Sequence, residues 1–128
     1  MQSMKASPLE IYGLSVCFVA AIALAIALGT ALYTVVRFFS PLFALGSWEF
    51  RQHLSNDAYW EKESTKNDLK RVRPSETELT REREASFAAA LQSERHNAAQ
   101  GLVKQAIFIL VDVILFLSHW LIAQGAHR

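Results

Sequence analysis

Apolar residues in this chain fall into two blocks, 11–36 and 106–123, separated by a stretch in which charged residues recur every few positions. Each block is about the length an α-helix needs to cross a hydrocarbon core roughly 30 Å thick, at about 1.5 Å per residue. The pattern predicts an all-α membrane protein in which two transmembrane helices form a helical hairpin with a long charged helical loop between them. The expected segments are an N-terminal tail over 1–10, a first transmembrane helix over 11–39 and an amphipathic, interfacial helical loop over 40–74. A charged helix over 75–105 then leads into the membrane, a second transmembrane helix covers 106–124, and a C-terminal tail covers 125–128. The first apolar run continues to Val36. That is longer than the roughly 7–15 residues of a signal-peptide core, so an uncleaved span is expected.

Within the first block, small residues recur every four positions at Gly13, Cys17, Ala21, Ala25 and Gly29, with bulky Ile22, Leu24, Ile26 and Leu28 between them. Small residues let two helix backbones approach closely. In lipid this matters, because no hydrophobic force draws apolar helices together. The row is expected to pack against another helix, either the second span, a second copy or a different protein.

The second block contains a carboxylate, Asp112. At membrane depth a charged side chain costs roughly 2.5–3.5 kcal/mol on insertion scales, so it must face protein, a cavity or a partner. Gln105 and His119 lie seven residues to either side of it. Seven helical steps fall about 20° short of two full turns, so the three residues form one polar stripe. Counting inward from the loop ends of both spans brings Thr30 to the depth of Asp112, and its hydroxyl is the candidate donor to the carboxylate. Three roles suit Asp112. It can tie helices together by hydrogen bonds, line a proton or cation path with His119 as the outer relay, or pair with a cation on another subunit.

In the charged middle, Ser40-Pro41 ends the first helix and Ser47 is the expected cap of a helix beginning at Trp48. Continued without a break, that helix would stack Glu49, His53, Asp57 and Glu61 on one face, a spacing open to divalent metals. The cap-like cluster Ser55-Asn56-Asp57 restarts the helix instead, so a solvated acidic face is expected in place of a metal site. Trp48, Phe50, Tyr59 and Trp60 are expected to hold this segment at the membrane surface or against a neighbour. After Pro74, Ser75 and Glu78 have capping-box spacing. No proline follows, so one helix is expected to run from Glu76 into the second span, bending at Gly101.

A net charge of +1 provides no field to recruit nucleic acid. Cys17, the only cysteine, excludes an intrachain disulfide and a thiolate cluster. Of the 13 Lys and Arg residues, all but Lys5 and Arg128 lie between Arg37 and Lys104. The positive-inside rule then places the loop in the cytoplasm and both termini outside, as for an integral protein of a bacterial inner membrane. The chain shows no phosphate loop, nucleophile–base set, haem motif or zinc signature, so neither a cofactor nor an enzymatic activity is expected. The expected partners are the lipid bilayer and further helices, because two spans alone rarely shield a polar stripe from lipid. A homo-oligomer permeable to ions or protons is the first functional expectation. An accessory subunit stabilising a larger membrane complex is the second.

Overall fold

Both apolar blocks are carried by long helices in the computed structural model, which describes residues 6–66 and 71–126. Helix α1 spans Pro8–Phe39, α2 Ser47–Gln52, α3 Asn56–Lys66 and α4 Glu76–Gly125, with a 3-10 turn at Pro41–Phe43. Lys5, Lys70 and Arg128, part of the charge asymmetry, lie outside the described residues. The fold is all-α, with α1 and α4 packed antiparallel and the short helices between them.

Capping residues set the helix limits. Ser7 accepts the Glu10 N–H on its hydroxyl at 3.1 Å and the Ile11 N–H on its carbonyl at 3.0 Å. Pro8 follows as the first helical residue, where its missing N–H costs nothing. Hence α1 begins inside the stretch expected to be a tail, since a hydropathy pattern is blind to caps. Ser55 accepts the Ala58 N–H at 3.1 Å and starts α3, so the helix does restart after α2. Gly46, not Ser47, occupies the cap position of α2, and Ser47 is already helical. Ser75 caps α4 through the Glu78 N–H at 3.4 Å. The Glu78 carboxylate turns to Arg81 at 2.6 Å, so only half of the expected capping box forms. Gly101 lies within uninterrupted helix.

The chain divides into two compact units. The first comprises residues up to Val35 and from Gln100 onward, the second Val36–Ala99. In the first, Gly13, Cys17, Ala20, Ala27 and Thr34 of α1 are buried, with Leu24 and Ala31 half-buried between them. The α4 residues of lower exposure are Leu102, Gln105, Ile109, Asp112, Phe116, His119 and Ala123. Both rows alternate steps of three and four residues, the seam of a coiled coil, which keeps one stripe of each helix toward the other.

Three contacts fix the register. A Cβ added at Gly13 would lie 3.1 Å from Ala123 Cβ and from the His119 carbonyl oxygen. The Cys17 thiol donates to the Phe116 carbonyl at 3.6 Å. A Cβ added at Gly101 would lie 3.1 Å from Thr34 Cγ2. At both ends of the seam the opposing helix comes so close that a side chain in place of glycine would require its neighbour to give by a few tenths of an ångström.

The other faces of both helices are apolar and open. Phe18, Ile26 and Leu32 on α1, and Phe108, Leu110 and Leu121 on α4, are all exposed. Such surface is stable in hydrocarbon, where helices satisfy their own backbone groups. Both helices are long and apolar enough to cross a membrane.

In the second unit the core is Leu45, Tyr59, Leu79 and Ala98, with Pro41 and His53 also buried. Arg37, in the last turn of α1, meets Glu94 of α4 at 2.7 Å, both about three quarters shielded from solvent.

Gly13→Leu is expected to destabilise the hairpin by about 1–3 kcal/mol through overpacking, read as a lower unfolding midpoint in detergent. Gly29→Ala, whose added Cβ meets nothing within 4 Å, is expected to keep or raise the midpoint. Equal losses in the two variants would place the seam elsewhere.

Candidate functional site: the polar stripe of the hairpin

Polar side chains on a membrane helix have two ways to satisfy themselves: their own backbone or a neighbour. The hydroxyls here take the first. Thr30 Oγ1 donates to the Ile26 and Ala27 carbonyls at 3.1 and 2.9 Å. Thr34 donates to the Thr30 carbonyl and Ser118 to the Ile114 carbonyl, at 2.8 and 2.7 Å. His119 Nδ1 is 2.9 Å from the Leu115 carbonyl oxygen. A carbonyl only accepts, so Nδ1 carries the proton, and Nε2 is the lone-pair nitrogen of the neutral ring. The Tyr12 ring of α1 lies 5.9 Å from the His119 ring.

Gln105, Asp112 and His119 are each half-buried. They share their rows with Phe116 and Ala123, which touch α1, so the stripe runs along the seam and not over the lipid-facing surface. Among the described residues, no side chain or backbone group hydrogen-bonds or ion-pairs with the Asp112 carboxylate. It lies between two satisfied regions, the Cys17–Phe116 contact on one side and Thr34–Gly101 on the other.

Those two contacts bring Asp112 level with residues 21–23 of α1. Thr30, the neighbour expected from depth counting, comes level with Gln105, about 10 Å further along the axis. The difference has a plain cause. The depth count aligned Val36 with the start of the second apolar run, whereas the structure sets Thr34 against Gly101, before that run begins.

Of the small-residue row, Gly13 and Cys17 are buried on the seam, while Ala21, Ala25 and Gly29 are exposed. Each four-residue step turns a helix about 40° past one revolution, so a row of five drifts about 160°. Gly13 and Gly29 therefore face nearly opposite sides of α1.

A second polar cluster joins residues far apart in sequence. His53, buried at the end of α2, has Nδ1 2.7 Å from the Glu49 carbonyl and Nε2 3.1 Å from Ser86 Oγ of α4. Nδ1 is again the donor, and in the neutral form of the ring Nε2 accepts the Ser86 proton. The Tyr59 and Phe87 rings flank the imidazole at 6.0 and 5.4 Å. The Tyr59 phenol also meets Ser86. Burial, reinforced by the Glu63 and Glu82 carboxylates, pushes that phenol above its usual value of 10.0. Ser86 and His53 are 33 residues apart, and no local pattern pairs them. Glu49 and His53 end on α2, whereas Asp57 points to Arg73 at 2.6 Å and Glu61 belongs to α3, so the four-residue acidic row is broken.

These features define a two-span helical membrane protein with a half-buried carboxylate at its helix seam that has no partner among the described residues. Compared with protein-family models, curated proteins and solved structures, the chain matches none.

Replacing His53 by Ala is expected to cost the second unit about 1–3 kcal/mol, because Ser86 and Tyr59 lose their shared partner. Faster amide exchange across α2 and α3 reads this out. The raised Tyr59 value favours the neutral phenol in the folded state. Its contribution is therefore complete below pH 10.0 and lost as pH rises through the raised value. Tyr59→Phe is expected to remove that alkaline loss, seen as a flatter melting-temperature profile above pH 10.0.

Proposed function

We propose that the chain is a self-associating membrane protein in which Gln105, Asp112 and His119 provide a polar path for protons or cations. The observation that supports this most is the Asp112 carboxylate, half-buried at the seam within a span and without a described partner. A carboxylate in that position is expensive unless water, a proton or a cation reaches it. His119 sits two turns away on the same stripe, with Nε2 left to take up or release a proton. Ala21, Ala25 and Gly29, exposed on a row that turns from the flank to the far side of α1, give a second copy a surface of small residues to pack against. Arg37 and Lys104, which border the spans, favour a cytoplasmic loop. The reading is non-catalytic: Ser86 and His53 serve to anchor α2 and α3 on α4.

The same unpartnered carboxylate favours a second reading, an accessory subunit in which a cation from another membrane protein meets Asp112. Native mass spectrometry of the protein released in mild detergent separates the two. The first reading expects several copies of this chain, with Gly29→Leu reducing the copy number. The second expects a different subunit in fixed ratio. In proteoliposomes, Asp112→Asn and His119→Ala are each expected to lower proton or cation flux by about tenfold or more. Flux unchanged in Asp112→Asn would sink the conducting path.

A further inference from the structure

We infer that the groove between α2 and α3 binds the phosphate headgroup of an anionic phospholipid. The groove is a cavity of about 510 Å³, lined by Trp48 and Arg51 of α2 and by Glu61, Lys62 and Lys66 of α3, among others. Its geometry follows from helical spacing. Trp48, Arg51 and Gln52 share one face of α2, and Ala58, Glu61, Lys62, Thr65 and Lys66 share one face of α3. The turn between the helices is held by His53, whose ring is fixed at both nitrogens.

Of the unit's described cations without a salt bridge, Arg51, Lys62 and Lys66 lie at this groove, and Arg83 and Arg95 lie outside it. Arg37, Arg71, Arg73 and Arg81 are neutralised by carboxylates of the same unit. Arg51, Lys62 and Lys66 form no salt bridge among the described residues. Three cations without a salt bridge thus converge on one cavity, where Glu61 is the sole opposing carboxylate among the described lining residues. The excess of positive charge calls for an anion, and guanidinium and ammonium groups are the usual donors to phosphate.

The surroundings favour lipid as the source of that phosphate. Trp48, at the groove, is 74% exposed, and Phe39 and Phe43, just upstream, are 75% and 83% exposed. Leu42 is exposed as well. These residues directly follow the apolar run of a span. Exposed aromatic residues beside basic ones, next to a membrane helix, match the headgroup region, where the rings sit among acyl carbonyls and the cations meet phosphates. A soluble anion would use the three cations but would leave Trp48, Phe39 and Phe43 in water.

The site is separate from the Asp112 stripe and stands whether or not the assembly conducts. Its test is native mass spectrometry of the whole protein in neutral detergent, titrated with phosphatidylglycerol or phosphatidylcholine. Wild type is expected to retain phosphatidylglycerol in preference to phosphatidylcholine. The triple variant Arg51→Gln, Lys62→Gln, Lys66→Gln is expected to retain it about tenfold less or weaker still. Arg95→Gln, an exposed cation outside the groove, is expected to behave as wild type. None of the three groove cations holds a side-chain bond within the described chain, so their replacement leaves the fold's own contacts in place. Trp48→Ala is expected to weaken retention without changing the preference for the anionic lipid. Equal retention of both lipids by wild type, or undiminished phosphatidylglycerol retention by the triple variant, would overturn the proposal. Displacement of the lipid by millimolar inorganic phosphate would overturn the lipid as occupant and assign the groove to soluble phosphate.

Discussion

Close approach of the α1 and α4 backbones is the constraint on which the membrane unit depends. Gly13 lies against Ala123 and the His119 carbonyl, and Gly101 against the Thr34 methyl, at separations that would crowd a Cβ. Lipid tails are as apolar as leucine, so burying apolar area does not bring these helices together. Contact between backbones, with the Cys17 thiol on the Phe116 carbonyl, provides the attraction instead. Because glycine sits near both ends of the seam, sliding one helix by a residue would set side chains against backbone. The register is therefore fixed, and with it the depth and facing of every polar group.

That register decides what Asp112 meets. It stands level with residues 21–23 of α1 and away from the hydroxyls of Thr30 and Thr34, which have already turned to their own helix. The seam thus shields the carboxylate in part but does not satisfy it. A structural aspartate that ties helices together is expected to have a donor in place. No described residue supplies one to Asp112, and its proposed counterpart is a proton, a cation or a partner's side chain.

The second unit is held by a different kind of force. Its apolar core is small, and polar links do much of the positioning. These are Arg37 to Glu94, His53 to Ser86, and Asn56 to Glu76 and Thr80. Each joins residues 20 or more positions apart, bringing short helices that could not persist alone onto α4. Surface ion pairs are individually weak, but Arg37 and Glu94 are mostly shielded, which reduces screening by water and salt. The side effect of this pairing is selective. Ion pairs engage Arg37, Arg71, Arg73 and Arg81, while Arg51, Lys62 and Lys66 face one groove without a described salt bridge.

Much of the architecture was legible in the sequence. Two apolar runs of membrane length, the break at Ser40-Pro41, the restart at Ser55 and the cap at Ser75 are local features, and local physics is enough to read them. The seven-residue spacing of Gln105, Asp112 and His119 likewise put them on one stripe, because a helix of known pitch fixes angles within itself. Relations between helices were not legible. The four-residue row from Gly13 to Gly29 was visible, but only packing showed that Gly13 and Cys17 meet α4 while Ala21, Ala25 and Gly29 face outward. Depth counting set Thr30 beside Asp112, and the contact of Thr34 with Gly101 shifted the level by about two turns. The meeting of His53 with Ser86, and of three cations in one groove, had no sequence signal at all. Helical pitch is set by each chain segment alone, whereas register between segments depends on where two surfaces can approach most closely, and only the tertiary structure decides that.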